Sequence, residues 1–438
     1  MSDSMETDEG ELEGRVAALI RREQSALACP YPIFSDLRRR SGPMYVSDIG
    51  GWLVTRYDDV RSILRDTEKF SRLNPTGPRS AGDVLTEGII ELMQDPSMSD
   101  AMERLGRGRV AVLLNADPPD HRRQRRLVNP AFRPDRIRIM ESAIDDVAHR
   151  LMEYVIEDLT SFGRVDIVSK FAVGLPMAII ALALGVSDDD LDTFKRWSDD
   201  IVMPVGNHSP TREQIRGFVT STKEFTDYFI AQIEERRRSP RSDLLSDIAN
   251  AEIDGEELSV DEQLGMLQQF LVAGNETTTK LITNLVRHLA ENPELQHRVR
   301  SDRSLIDGLV EEMLRLEAPV GGLFRQAKVD VEIGDVRIPA GDHLWLLFAS
   351  ANRDECKFAS PDEIELGRTN VKEHLAFGNG EHFCPGAGLA RAEARIAVGV
   401  LLDALHDITL DEDNEFRFED SFVLRGLTSL VIRAVVPG

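Results

Sequence analysis

The chain has 438 residues, 42% hydrophobic and 29% charged, and 52 Lys+Arg against 76 Asp+Glu give a formal charge of −24. This composition supports a large folded core and excludes a disordered chain, a collagen-like fibre and a disulfide-rich mini-domain. It also excludes nucleic acid and anionic membrane as partners of the whole surface, because phosphates repel a net anion.

The first fourteen residues, MSDSMETDEGELEG, are acidic and lack an apolar core, so they read as neither signal peptide nor anchor. The expectation is a disordered acidic tail over 1–14, with 15–438 as one domain, since no Pro/Gly/Ser linker or internal repeat divides the chain. The cysteines are Cys29, Cys356 and Cys384, without a CxxC, which points to a reducing, cytoplasmic location. Residues 44–58 predict a hairpin: Met44-Tyr-Val, a Gly50-Gly51 turn, then Trp52-Leu-Val-Thr. From 58 to about 315 the pattern is mostly helical, with loops at 72–120 and near 203–212. The longest apolar run, Phe171 to Val186, is too short for a bilayer span and contains Gly174, Pro176 and Gly185, so it reads as a buried helix.

One helix is unusually long. Ser259 and Glu262 form an S-x-x-E capping box, Leu264, Leu267, Leu271, Leu281, Leu285 and Leu289 recur at helical spacing, and Pro293 closes the segment. Such a helix extends about 45 Å and crosses a whole domain. After Pro319 the period becomes two: Val329, Val331 and Ile333, a Gly334-Asp335 turn, then Val336 and Ile338. A helix from about Leu389 to Leu405 and an extended C-terminus follow. The predicted fold class is mainly α with small antiparallel β-sheets.

Four segments stand out chemically. Phe377-Gly-Asn-Gly-Glu-His-Phe-Cys384-Pro-Gly386 is a glycine-rich turn whose cysteine sits just before a helix start, where free N–H groups and the dipole favour a thiolate. Taken alone, it could equally be a turn with a buried cysteine. Within the long helix, Ala273-Gly-Asn-Glu-Thr277-Thr interrupts the apolar stripe. Gly274 costs about 1 kcal/mol there and calls for a reason such as a close ligand, the Thr277 hydroxyl can reach the Ala273 carbonyl, and Asn275 suits a solvent-facing position. Glu312-Met-Leu-Arg315 places two opposite charges at i, i+3, most simply a surface ion pair. Asp117-Pro-Pro-Asp-His121-Arg-Arg-Gln-Arg125-Arg126 is a basic helix start in an acidic protein, either a solvated face or a nucleic-acid patch.

Together these segments resemble the cytochrome P450 family. Phe377–Gly386 matches its FGxGxHxCxG loop at all six fixed positions, and the resemblance runs in family order from His121 to Cys384. Asn352-Arg353-Asp354 and Leu424-Arg425-Gly426-Leu427 fit it as well. It implies a P450-like fold around heme b (iron protoporphyrin IX), with Cys384 as the thiolate iron ligand, a donor that favours O–O cleavage. Phe377, Gly378, His382 and Gly386 would form the cofactor loop, and Ala273 and Gly274 the oxygen pocket. Glu276 would relay protons and Thr277 would stabilise activated oxygen. His121, Arg125, Arg325 (expected before the first strand of the β region) and His382 would contact the propionates. Glu312 and Arg315, with Arg368 as third member, would be structural. Pro385 departs from the aliphatic residue usual after the cysteine, which bears on loop stiffness and redox potential.

The resemblance further implies a soluble monooxygenase that uses O2 to hydroxylate or epoxidise a hydrophobic small molecule. Its electrons would come from a separate ferredoxin with ferredoxin reductase, because no cysteine cluster or flavin segment is present. Arg122 and Arg126, on a different helix face from His121 and Arg125, are left for docking that carrier. Leu267, Phe270, Leu271, Val320, Leu323, Phe324, Phe422 and Val423, with loop 74–114, would line the substrate pocket, and Gly321-Gly322 would leave room beside the heme. The same fold could instead run desaturation, oxidative coupling or peroxide-driven oxidation, or serve as a non-catalytic gas sensor. The Glu276-Thr277 pair argues against the peroxide-driven variant and against nitric-oxide reduction.

Overall fold

The computed structural model describes residues 2–77, 88–187, 190–207, 209–253 and 255–437, so part of the expected pocket loop 74–114 (residues 78–87) lies outside the described residues. The elements used below are, in chain order, α1 (Ser2–Ile20), β1 (Met44–Val46), β2 (Gly51–Val54), β3 (Phe70–Ser71), α2 (Asp120–Val128), α3 (Pro134–Phe162), β4 (Val165–Asp166), α4 (Gly174–Ala183), α5 (Leu191–Val202), α6 (Arg212–Arg238), α7 (Val260–Glu291), α8 (Ile306–Leu316), β5 (Leu323–Ala327), β6 (Val331–Ile333), β7 (Val336–Ile338), β8 (His343–Leu346), α9 (Ala387–Ala404), β9 (His406–Leu410) and β10 (Val431–Val435).

The expected tail over 1–14 is helical instead, as part of α1. Leu12, Val16, Leu19 and Ile20 recur at helical spacing and are buried in the main core, a period that straddles the boundary drawn after residue 14. The loop expected at 72–120 also contains a short helix, Ser99–Arg104. Among the described residues, no helix is long and apolar enough to cross a membrane.

Helix α7 is the axis of the fold. Ser259 Oγ accepts from the Glu262 N–H at 3.2 Å and the Glu262 carboxylate accepts from the Ser259 N–H at 3.0 Å, so the predicted capping box closes both ways. The helix runs 32 residues to Asn292, which caps the next helix ahead of Pro293. Every position from Thr278 to Val286 is buried, so helices cover it on all sides. Helices α4, α5 and α9 pack against it, and α9 also packs on α3 and α8. The run Phe171–Val186 is the buried helix expected, entered through a π-helical turn over Val168–Ala172 that the apolar pattern does not reveal.

The principal sheet has the order β1–β2–β8–β5–β3. Its β1–β2 hairpin turns through Gly50 at φ +60°, and the separate β6–β7 hairpin turns through Gly334 at φ +58°, both as predicted. One pairing differs from the antiparallel expectation: β8 lies parallel to β2, with His343 opposite Gly51. Arg325 lies within β5 rather than before the first strand of this region. Gly322 serves packing: a Cβ there would stand 2.3 Å from the Leu346 carbonyl oxygen, whereas one at Gly321 would make only ordinary contact, 3.4 Å from the Val423 carbonyl oxygen.

Candidate active site

The cysteine loop is shaped by its own backbone. The Gly378 N–H donates to the Leu375 carbonyl, the Phe383 N–H to Gly380, and the Cys384 N–H to Phe377 at 3.0 Å. Gly378 and Gly380 both take positive φ, and a Cβ at Gly380 would press on the Leu64 carbonyl at 3.0 Å, so glycine is required there. Gly386 caps α9, which places the half-buried Cys384 sulfur at the start of that helix. Burial pushes the Cys384 thiol up. The Gly386 N–H, the Arg125 and Arg391 guanidiniums and the Ala387 N–H pull it back, without fully offsetting burial. A stable thiolate therefore needs a cation at the sulfur, a condition that iron ligation meets.

Helix α2 packs against this loop. The His121 and His382 rings lie 3.7 Å apart, and Arg125 donates to the Phe383 carbonyl at 3.0 Å. Arg325, on β5, is 3% exposed and, among the described residues, its guanidinium donates only to the neighbouring Phe324 carbonyl. Sequence reasoning missed a further member, Arg72, which follows β3 and is also buried. Its signal was weak, one arginine at the edge of a variable loop, because its neighbours come from three other segments.

The electrostatics of this cluster are lopsided. Burial, reinforced by repulsion from the neighbouring arginines, lowers His121 to about 4 and pushes His382 further down. Burial brings Arg72 down to about 9 and Arg325 well below its ordinary value, with Asp117 the only carboxylate opposing the shift in each. Among the described residues, four buried nitrogens of this cluster have no hydrogen-bond partner: His121 Nδ1, His382 Nε2, Arg72 Nε and Arg325 Nη2. Buried guanidiniums with orphaned donors require anions, and the two propionates of a heme would supply carboxylates suited to them and to the neutral imidazoles. The residues fit that group.

On α7, Thr277 Oγ1 donates to the Ala273 carbonyl at 2.7 Å, as predicted. Ala273 is exposed in the middle of this largely buried helix, with Thr277 half-buried one turn later, so this face is accessible. At Gly274 a Cβ would make ordinary contact, at 3.4 Å, with Ile180 side-chain atoms of α4, so packing against α4 does not itself require glycine there. Asn275 is not solvent-facing. It is 1% exposed and donates to Ser198 Oγ and to Glu276. Glu276 is buried and ion-paired with Lys280 at 2.9 Å, a partner not anticipated although Glu→Lys at i, i+4 is a readable signal.

The Glu312–Arg315–Arg368 trio is no surface pair. Glu312 and Arg315 are fully buried, paired through two 2.9 Å bonds, and Arg368 Nε reaches Glu312 at 3.0 Å. Both arginines spend their remaining donors on carbonyls of the segment from Asn352 to Glu363. This knot ties α8 to the meander that leads into the cysteine loop.

The chain matches the family model described as Cytochrome P450 over residues 29–427. It belongs to the cytochrome P450 family. Cytochrome P450 107B1 of Saccharopolyspora erythraea is 37% identical over 89% of this chain and 90% of that protein. Cytochrome P450 monooxygenase PikC of Streptomyces venezuelae is 34% identical over 94% and 92%. The solved structure of cytochrome P450 CYP109Q5 from Chondromyces apiculatus superposes with a TM-score of 0.78 at 38% identity, covering 94% of this chain and 97% of that one. This cytochrome P450 is thus an oxidoreductase of a monooxygenase family that works with a heme-thiolate cofactor.

Of the residues expected to line this P450's pocket, six are packed as core: Leu267, Phe270, Leu271, Phe324, Phe422 and Val423. Phe324 stacks on Trp345 at 5.6 Å, and Phe422 meets the same indole edge-on at 5.0 Å. Val320 and Leu323 keep partial exposure. The docking patch is also less open than the sequence implies. Arg122 is bonded through Nε and Nη2 to the Glu381 carboxylate, with 2.6 Å the shortest contact, and Arg123 is paired with Glu262.

Proposed function

We propose that this P450 binds heme b and inserts one atom of O2 into a hydrophobic small molecule, with electrons from a separate ferredoxin and its reductase. The observation that carries the reading is the cysteine loop, where Cys384 stands at a helix start beside an anion-seeking cluster of Arg72, His121, Arg125, Arg325 and His382. Cys384 would ligate the iron and the cluster would hold the propionates. When bound, the heme supplies oxygen activation, with the thiolate favouring O–O cleavage. The chain's own part is to bind and orient the cofactor, to present the Thr277 hydroxyl on the accessible face of α7, and to hold an ionisable group, Glu276, next to it. The free Cys29 and Cys356 suit a reducing cytoplasm.

The test is product formation from a panel of apolar compounds under labelled O2, with a reconstituted ferredoxin system. Label in the product supports the reading; heme reduction and O2 binding without oxidised product across the panel would favour a gas sensor. Thr277→Ala is expected to keep heme and substrate binding while diverting most reducing equivalents to hydrogen peroxide. An unchanged yield of product per electron would remove Thr277 from the mechanism.

The electron carrier is expected at the exposed side of α2. Arg126→Glu should slow reduction by an acidic ferredoxin several-fold at low ionic strength, with little effect at high salt, because charges further apart than about 10 Å are screened. Arg122→Glu, which would also face Glu381, should slow reduction in the same sense. Stopped-flow reduction rates independent of both substitutions and of salt would place docking elsewhere.

A further inference from the structure

Behind Glu276 the structure holds an ion triad that the reading above does not use. Lys280, 1% exposed, sits 2.9 Å from Glu276 Oε2 and 2.9 Å from Glu419 Oε1. Its stem lies against Gly426, where a Cβ would come within 2.4 Å of Lys280 Cγ, so the C-terminal loop is closed tightly over it. Glu419, on that loop, keeps 29% of its side chain exposed. A cavity of about 20 Å³, lined largely by apolar side chains, also borders Glu419, Ser421 and Arg425. On the inner side, Glu276 Oε1 accepts from Ser198 and Asn275. Three titratable side chains thus form an unbroken line from the surface to the residue beside Thr277.

We propose that Glu419 and Lys280 are the proton supply line of Glu276, an inference that rests on Glu276 being the proton-delivering acid. A proton enters as the carboxylic acid of Glu419. Lys280 passes one of its three Nζ protons to Glu276 Oε2 and takes the Glu419 proton in return. The ammonium is regenerated, Glu419 is left as carboxylate, and Glu276 becomes the acid. The proton rests at the surface end of this line, with Lys280 also held as ammonium by its two carboxylates, so delivery to Glu276 runs uphill and is drawn by proton consumption beyond Glu276. Burial raises Glu419 above its ordinary value despite Lys280, with repulsion from Glu276 adding to the shift. Burial also acts on Glu276 but is outweighed by Lys280 and Lys195, which keep it an ionised acceptor. The charged groups facing the line from α5 are Lys195 and Asp199.

The test uses the heme-loaded enzyme with a plant-type ferredoxin, its reductase and reduced nicotinamide, following O2 uptake without substrate in H2O and D2O. Glu419→Gln leaves the buried Glu276–Lys280 pair in place and is expected to slow uptake about tenfold and enlarge the solvent isotope effect. Lys280→Arg keeps a cation in place but cannot give up a proton, so it is expected to be as slow as Lys280→Met. In the infrared, the carboxylic C=O band that titrates with Glu419 is expected to vanish in Glu419→Gln and to move to higher pH in Lys280→Met. Rescue by Lys280→Arg would make Lys280 a static clamp and overturn the relay, as would wild-type uptake and isotope effect in Glu419→Gln, or an unshifted band. If the Lys280 variants fail to bind heme, Glu419→Gln decides alone. Wild-type behaviour in Glu276→Gln would instead overturn the acid assignment beneath the proposal.

Discussion

Replacing Cys384 with histidine is expected to abolish the red-shifted Soret band of the reduced, CO-bound enzyme and to bring turnover to background. The substitution changes the proposed iron ligand from thiolate to imidazole and removes the electron donation that favours O–O cleavage. The rest of the site is built to survive it. The Arg72, His121, Arg125, Arg325 and His382 cluster comes from four separate segments, and its orphaned donors do not depend on the sulfur. Heme retention with an imidazole-type CO spectrum is therefore the expected phenotype. If the native enzyme itself shows the imidazole-type spectrum, Cys384 is not the ligand and the proposed function fails.

Removing Glu312 is expected to cost about 3–5 kcal/mol of stability, the range for breaking a buried ion pair from one side. Glu312→Ala would leave the buried Arg315 and Arg368 guanidiniums facing each other with no carboxylate between them. It would also leave the Glu365 N–H without its acceptor. Denaturant unfolding followed by helical signal and by heme absorbance checks this, and both transitions should move together, since the knot holds the segment leading into the cysteine loop. The pH dependence has a definite sign. Burial alone would raise Glu312, but the bonds from Arg315 and the Glu365 N–H outweigh it and hold the carboxyl below its ordinary value of 4.5. The stabilisation is complete above that ordinary value and drains away as pH falls through the lower folded value. Wild type should lose this increment in acid and Glu312→Ala should not. Equal acid sensitivity in the two proteins would show that the trio contributes little.

What the sequence made legible was whatever is local. The capping box of α7, the β1–β2 and β6–β7 hairpins and the cysteine loop are each written within ten or so residues, through turn glycines and fixed spacings. Position in the core was not legible, because an apolar residue one turn from a site looks the same whether it faces a ligand or a neighbouring helix. Phe324 and Phe422, read as pocket residues, both meet Trp345, and Phe422 also lines a small cavity. Nor were partners assembled from distant segments: Arg72 gains its meaning from Arg325 and His382, and Lys280 from Glu419.

The parallel pairing of β2 with β8 bears on how the polypeptide is made. Gly51 waits for His343, Gln24 for Phe418, and the Leu27 and Ala28 carbonyls for Arg425. An N-terminal quarter emerging from the ribosome therefore has no native partner for the open edge of β2 until residues 343–346 of the 438 have been synthesised. High sequence separation between contacting residues slows folding and leaves apolar strands uncovered meanwhile. Translation arrest or proteolysis that removes the stretch beyond Arg417 would free both ends at once, so incomplete chains of this enzyme are expected to be recovered as aggregates or chaperone clients rather than as smaller folded fragments.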